Sequence, residues 1–322
     1  MSASHGNKAV IAAFLANSGI AVTKFIAWGL SGSASMLAEA VHSVADAGNQ
    51  LLLLLGGRLA KRKADTDHPF GYGRERYVWA FIVAIILFSI GGVFSITEGV
   101  SKLQHPHEID MNWWWLPLVV LLAAIIMESF SFRTAIKESN LVRGKQTWVQ
   151  FVRRSKSPEL PVVLLEDLAA LLGLVFAFVA VGLTVITGNP FYDAVGTLVI
   201  GALLVVVAVI LGIEMKSLLI GEGANEGDHT AIVAAINASA DVESLIHVKT
   251  LYLGPDELLV AAKVSFPPKH TLEDIARSIN SVESEIREAV PVARVIYIEP
   301  DIYIEQPEIA PSTDVIVIQS GN

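Results

Sequence analysis

A histidine and an aspartate lie four residues apart within an apolar stretch of the chain, at His42 and Asp46, and Asn49 follows three residues later. On a helix, positions four apart stack on one face, and Asn49 lies on nearly the same face. An imidazole and a carboxylate presented together supply half of a tetrahedral nitrogen and oxygen site for a divalent metal. The alternative is a His–Asp hydrogen bond that only holds two helices together.

Two adjacent carboxylates, Glu166 and Asp167, occupy a second apolar stretch. In apolar surroundings such groups need a cation or protons to neutralise them. Neighbouring residues on a helix point about 100° apart, so the two cannot both face one site squarely. We favour Asp167 as a metal ligand, and Glu166 is either a further ligand or a structural group.

Membrane-spanning helices are needed to position these residues. The chain has 322 residues, of which 53% are hydrophobic and 17% charged, and its mean hydropathy is +0.55. Soluble chains carry about 25% charged residues, and a helical span takes about 20 mostly apolar residues. Six stretches qualify, at roughly 8–30, 35–57, 77–100, 113–135, 161–187 and 192–214. His42 and Asp46 fall in span 2, and the Glu166–Asp167 pair falls in span 5.

The loops between the spans predict the orientation. Segments 58–76 and 133–156 hold six and seven Lys or Arg residues, whereas the loops on the opposite side hold only Lys102. Basic loops remain on the cytoplasmic side of a membrane. We therefore predict a multi-pass protein of the cell inner or plasma membrane, with both termini in the cytoplasm.

The C-terminal part is acidic and reads as a small soluble domain. From residue 222 onward there are 17 acidic and 6 basic residues, which leaves 15 and 17 of the chain totals of 32 and 23 for the rest. A helix near 228–239, strands near 247–253 and 258–266, a helix at 272–289 and a strand at 293–299 predict an α+β fold. The expected organisation is a transmembrane domain over 1–220, a cytoplasmic domain over 221–304 and a tail over 305–322. Because phosphate binding needs a basic face, nucleic acid is excluded as a partner.

Three segments resemble the cation diffusion facilitator family of zinc transporters. They are 38–46 (AEAVHSVAD), 67–75 (DHPFGYGRE) and 192–196 (YDAVG), and the likeness covers about residues 8–303. The resemblance implies an all-α six-helix transmembrane bundle with a cytoplasmic α+β ferredoxin-like domain, a homodimer and metal/proton antiport. It also implies a transport site with two ligands four residues apart in span 2 and two in span 5.

His42, Asp46 and Asp167 match three of the four ligand positions that the resemblance implies. The fourth, four residues before Asp167, is Val163, where most members have His or Asp. Glu166, Asn49 or water are the alternatives for the missing ligand. A subgroup that includes a eukaryotic mitochondrial zinc transporter also has the Glu-Asp pair here, so we interpret the change as a variant site.

The auxiliary metal sites of the family appear only as fragments. A loop site would fall on Asp65, His68 and Tyr72, and tyrosine is a poor zinc ligand, so we favour a turn there. In the cytoplasmic domain only His247 and Glu299 stand at ligand positions, and we expect no complete metal cluster.

The predicted function is a divalent metal/proton antiporter that exports Zn²⁺ from the cytoplasm by alternating access. Because imidazole suits Zn²⁺, Fe²⁺ and Co²⁺ while carboxylate and amide oxygens suit Mn²⁺, efflux of Mn²⁺ or Fe²⁺ is the alternative, with Co²⁺ and Cd²⁺ as further possible substrates. A non-transporting membrane metal sensor is the competing class. An enzyme is the weakest hypothesis, since no nucleophile–base spacing or phosphate loop is present.

Overall fold

The protein is described by a computed structural model that covers the backbone of residues 2–31, 34–105 and 115–302. Side chains are described over the same residues except 2–9, 27–28, 30–31 and 34–42. The predicted C-terminal tail over 305–322 lies outside the described residues.

Long helices make up the N-terminal two thirds of the described chain. Their bounds are α1 Ser2–Ser31, α2 Ala34–Leu59, α3 Glu75–Ile86, the π-helical turn Leu87–Val93, α4 Phe94–Gln104, α5 Trp115–Arg143, α6 Trp148–Arg154, α7 Glu159–Thr187 and α8 Phe191–Ile220. Spans 1 and 2 correspond to α1 and α2, and span 3 combines α3, the π-helical turn and α4. Span 4 is α5, and spans 5 and 6 are α7 and α8, with the short α6 before α7.

Within the described residues, four helical segments are long and apolar enough to cross a membrane, namely Glu75–Gln104, Trp115–Arg143, Glu159–Thr187 and Phe191–Ile220. A shorter apolar segment, Val10–Ile26, lies in α1. Many large apolar side chains on these helices face outward, for example Phe130 at 67% and Ile186 at 82% exposure. Contiguous exposed apolar surface of this kind suits a hydrocarbon solvent.

The helices pack as a bundle in which α5 contacts both α1 and α7, while α7 and span 3 pack against α8. Small residues allow the closest approaches. A Cβ added at Gly201 in α8 would lie 2.8 Å from the backbone nitrogen of Ile96 in α4, so only glycine fits there. At the end of α7, Gly188 adopts φ +71° and its N–H donates to the Thr184 carbonyl at 2.8 Å, a left-handed cap that stops the helix.

The small α+β part consists of α9 (Glu226–Ala238), β1 (Ser244–Gly254), β2 (Glu257–Ser265), α10 (Leu272–Ala289) and β3 (Ala293–Asp301). The three strands form one sheet in the order β1-β2-β3. Along β2, Val260 and Val264 are fully buried on one face of the strand, as are Val282 and Ile286 on α10. Thr271 and Asp274 form a capping box that starts α10, which satisfies its first free N–H groups.

The predicted fold class is confirmed, because apolar helices are followed by a small α+β domain with a three-stranded sheet. By contacts the described chain divides into two compact units, Met1–Asn225 with Leu251–Leu259, and Glu226–Thr250 with Val260–Asn322. The tip of the β1–β2 hairpin thus groups with the helices. Within that first unit, Arg76 at the start of span 3 is buried and pairs with Glu159 at 3.1 Å and with Asp256 of the hairpin tip at 3.3 Å.

Candidate metal centre in the helical bundle

The carboxylate of Asp167 in α7 is almost completely buried, with 1% exposure. Ser131 in α5 donates its hydroxyl to Asp167 Oδ2 at 2.7 Å. The other oxygen, Oδ1, receives no hydrogen bond from any described residue. A buried carboxylate oxygen without a donor is costly unless a proton or a cation completes it. Asp167 therefore has one oxygen held in position and one available.

The carboxylate of Glu166 faces α2, and each of its two oxygens accepts a hydrogen bond. On α2, Asn49 donates its side-chain amide to Oε1 at 2.8 Å and Gln50 donates to Oε2 at 2.9 Å. The side-chain amide of Asn17 in α1 extends this set, since it donates to the side-chain oxygen of Gln50 at 3.4 Å. Glu166 thus joins three helices through neutral amides. The divergence of Glu166 and Asp167 agrees with the 100° turn expected between adjacent helix positions.

The side-chain amide of Asn49 offers its oxygen as well as its nitrogen in this buried centre. Its amide nitrogen is bonded to Glu166, but its oxygen Oδ1 is buried and accepts no hydrogen bond from the described residues. Asn49 itself is 2% exposed. The side chain can therefore hold Glu166 with its nitrogen while presenting an oxygen to a cation.

Asp46, one turn before Asn49 and Gln50 on α2, is half-buried. It interacts electrostatically with Glu166, with Asp167 and with Glu128 of α5. These electrostatic interactions link α2, α5 and α7 around an acidic interior.

His42 belongs to α2, and its side chain lies outside the described part of the structure. Among the described side chains, no group of three or more His, Asp or Glu residues stands at metal-binding distances. The ligand assignments of His42, Asp46, Asp167, Glu166 and Asn49 stay predictions.

The ligand set predicted from the sequence does not include Gln50, Ser131 or Glu128. Gln50 and Glu128 are fully buried polar residues in apolar helices, at 0% and 1% exposure. A polar side chain within a span is itself a signal of function or of helix contact. The partners of these residues depended on which helices pack together, and no spacing within one helix reveals that.

The loop between α2 and α3 brings Asp65, His68 and Tyr72 together as a turn. Asp65 accepts the backbone N–H of His68 at 2.8 Å and the Tyr72 hydroxyl at 2.6 Å, and the rings of His68 and Tyr72 stack 4.3 Å apart. The hydrogen bond from Tyr72 holds the pKa of Asp65 below its ordinary value. The lone pairs of Asp65 are thus occupied by protein donors, which favours the structural interpretation of this loop.

In the α+β domain, Glu299 is engaged by a lysine. Lys263 on β2 contacts Glu299 at 3.1 Å and Asp301 at 2.8 Å on β3. The hydrogen bond to Asp301, followed by that to Glu299, raises the pKa of Lys263. A stable ammonium therefore stands where the resemblance would place part of an auxiliary metal site.

These features define a multi-pass helical membrane protein with a buried acidic centre, in which several oxygens receive no hydrogen bond from the described residues. Residues 10–220 match the cation efflux transmembrane domain. The chain belongs to the cation diffusion facilitator family, as its motifs indicate.

Several known proteins resemble this chain. The mitochondrial proton-coupled zinc antiporter SLC30A9 of Xenopus laevis is 34% identical over 286 residues, which cover 87% of this chain and 51% of that protein. Metal tolerance protein C4 of Arabidopsis thaliana is 32% identical over 267 residues, or 81% of this chain and 57% of that protein. The cation-efflux pump FieF of Pectobacterium carotovorum is 26% identical over 245 residues, covering 74% of each chain. The chain spans about half the length of the SLC30A9 relatives and of metal tolerance protein C4.

Proposed function

We propose that this chain is a divalent metal cation/proton antiporter that exports Zn²⁺ from the cytoplasm. One observation carries the proposal: buried acceptor oxygens on three helices, Asn49 Oδ1, Glu128 Oε1 and Asp167 Oδ1, receive no hydrogen bond from described residues. A purely structural polar cluster saturates its acceptors, as Glu166 does. Oxygens left without donors in an apolar bundle are suited to a cation or to protons.

The mechanism follows from competition between the metal cation and protons for the same ligands. A metal binds only to deprotonated ligands, so its entry releases protons and its departure lets them return. Asp46, Asp167 and the imidazole of His42 are groups that can hold either species. If the helices rock so that the site faces each side of the membrane in turn, a proton gradient drives the metal in the opposite direction.

Zn²⁺ is the preferred cargo for two reasons. His42 supplies an imidazole, which suits zinc, and a relative that is 34% identical over 286 residues is named a zinc antiporter. Carboxylate and amide oxygens outnumber nitrogens in this centre, however, and oxygen ligands suit Mn²⁺. Efflux of Mn²⁺ or Fe²⁺ therefore remains the alternative within the same mechanism, with Co²⁺ and Cd²⁺ as further substrates to test.

We also propose a homodimer, the commonest oligomer of soluble proteins and the state that the family resemblance implies. The basic loops support an orientation with both termini in the cytoplasm of a cell inner or plasma membrane. The SLC30A9 relative is named as a mitochondrial protein, and fractionation of cells that express the full chain decides between these membranes. Protease accessibility of tags at the two ends tests the orientation.

The decisive experiment is metal flux into proteoliposomes that contain the full chain. Zn²⁺, Mn²⁺, Fe²⁺, Co²⁺ and Cd²⁺ are compared with and without a pH gradient. We expect Zn²⁺ movement that requires the gradient and is lost in Asp46→Asn and in His42→Ala, both with an unfolding temperature near that of the wild type. Asp228→Asn, at a partly buried position of α9 in the α+β domain, is the matched control and retains flux.

Two results contradict the proposal. Binding of every metal without movement favours the sensor. Transport that survives both span 2 substitutions shows that the cargo uses another site.

A further inference from the structure

Glu128 is a deeply buried acidic residue of the bundle that the expected ligand set does not use. It lies near the middle of α5 and is 1% exposed. An ionisable side chain at such a position is costly and calls for a specific partner. The partner of Glu128 is found on α7.

The geometry directs Glu128 at Asp167. Glu128 and Ser131 are three residues apart and therefore share a face of α5. Ser131 donates to Asp167 Oδ2 at 2.7 Å, and the carboxyl group of Glu128 interacts electrostatically with the same aspartate. One face of α5 thus contacts Asp167 at two points.

Where the two carboxyl groups meet, no N–H or hydroxyl group of the described residues donates to them, and Glu128 Oε1 and Asp167 Oδ1 are both buried. Two carboxylates repel each other unless a cation or a proton shared between them compensates their charge. Lys24 of α1 offsets part of this charge through its electrostatic interaction with Glu128, while its ammonium donates to the Ser43 hydroxyl at 2.9 Å.

The expected fourth ligand position is occupied by a residue that cannot bind metal. Val163, one turn before Asp167 on α7, is fully buried in the hydrophobic core. Span 5 therefore offers one free carboxylate oxygen, at Asp167, because both oxygens of Glu166 are bonded to amides. Glu128 approaches this oxygen from the neighbouring helix.

We propose that Glu128 is a ligand of the transported divalent cation and replaces the ligand missing at Val163. This inference rests on the proposed function, because it assigns a ligand to the same transport site. Asp46 interacts electrostatically with both Glu128 and Asp167, and a bound cation draws the three carboxylates together with His42. The resulting set has three oxygens and one nitrogen, which favours oxygen-preferring metals more than a set with two histidines does.

The test is the Kd for Zn²⁺ and Mn²⁺ of the purified full chain, measured by calorimetry at one pH. Glu128→Gln keeps the size of the side chain and removes its charge. Loss of an outer-shell partner weakens metal affinity about 10–100-fold, so loss of a ligand is expected to raise the Kd for Zn²⁺ by about 100-fold. Glu138→Gln, at another buried glutamate of the same helix (7% exposed), is the matched control and changes the Kd by about twofold or less.

The outcomes separate this inference from the proposed function. If Asp167→Asn loses binding while Glu128→Gln binds like the wild type, Glu128 is not a ligand and the antiporter proposal stands. If the wild type binds and transports no divalent metal, the proposed function fails, and the ligand assignment fails with it.

Glu128→Asp provides a second variant if Glu128→Gln does not fold. It keeps the charge but withdraws the carboxylate by one methylene group. A changed ratio of the Kd values for Zn²⁺ and Mn²⁺ supports ligation by Glu128, and an unchanged ratio overturns it.

Discussion

Two regions of this chain combine aspartate with histidine and treat the carboxylate in opposite ways. In the loop between α2 and α3, Asp65 is exposed and its oxygens accept two backbone N–H groups and the Tyr72 hydroxyl. In the bundle, Asp167 is 1% exposed and one of its oxygens has no described donor. Nearby N–H and hydroxyl groups satisfy the first region, whereas the second region has buried oxygens that suit a cation or protons. Residue type alone therefore does not identify a metal site; burial and the supply of donors do.

The largest expected effect separates the two aspartates directly. Asp167→Asn removes the charge and presents an amide to a cation, so we expect metal flux to fall to the background of empty liposomes. Asp65→Asn keeps acceptors for the turn, and we expect flux within about twofold of the wild type. Both are measured in the same proteoliposome assay. Equal loss in the two variants would remove the distinction between the regions.

A second prediction concerns Glu166. Like Asp65, it has a protein donor for each of its carboxylate oxygens, but it lies in the bundle. Glu166→Ala leaves the amide donors of Asn49 and Gln50 buried and unpaired, and we expect the free energy of unfolding to fall by about 1–3 kcal/mol. Glu166→Gln restores an acceptor for one of the two amides and recovers part of this loss. Thermal unfolding in detergent provides the measurement. Loss of metal binding without loss of stability would instead make Glu166 a ligand.

A third prediction tests the support that α5 gives to Asp167. Ser131→Ala removes the donor to Oδ2, and we expect the Kd for Zn²⁺ to rise about tenfold, because the carboxylate is no longer oriented. Ser129→Ala is the matched control, since Ser129 is exposed and bonds the Ile125 carbonyl of its own helix at 2.6 Å. Titration calorimetry of both variants is the check. An identical Kd for the two would show that Ser131 does not position the site.

The smallest expected effect is a change in pH-dependent stability from a substitution in the loop between α2 and α3. Tyr72→Phe removes the hydroxyl that lowers the pKa of Asp65, so this pKa rises toward its ordinary value. Because the folded pKa is depressed, the stabilising contribution is present above the ordinary pKa of aspartate and is lost as the pH falls through the folded value. The variant loses much of that contribution while flux is retained. A carbon-13 NMR titration of aspartate-labelled full chain reads the pKa, and an unchanged value contradicts the assignment.

Much of the fold was predictable because its signals are local. Apolar stretches of sufficient length predicted the helices. The burial of Val260 and Val264 on one face of β2 follows from the two-residue period of a strand. The helix beginning at Leu272 follows the Thr271–Asp274 cap, which can be read from four consecutive residues. By contrast, the grouping of the hairpin tip with the helices depends on contacts between distant segments, such as Arg76 with Asp256.

The candidate site was predictable only in part. The spacing of His42 and Asp46 places them on one face of α2, and the adjacency of Glu166 and Asp167 requires them to diverge. Which of the two acidic residues would be saturated was decided by the neighbouring helix that each one meets. Glu166 meets the amides of α2, and Asp167 meets α5.

The sequence by itself determined the class of this protein: helical spans, a small acidic α+β domain, and acidic and imidazole groups inside the spans. These properties follow from hydrophobicity and from the periods of helix and strand, which act over a few residues. Only the tertiary structure decided that Glu128 faces Asp167, that Gln50 and Asn49 hold Glu166, and that Asp65 is occupied by its own loop. Those facts depend on which helix surfaces pack together, and that is a property of the whole bundle rather than of any one segment.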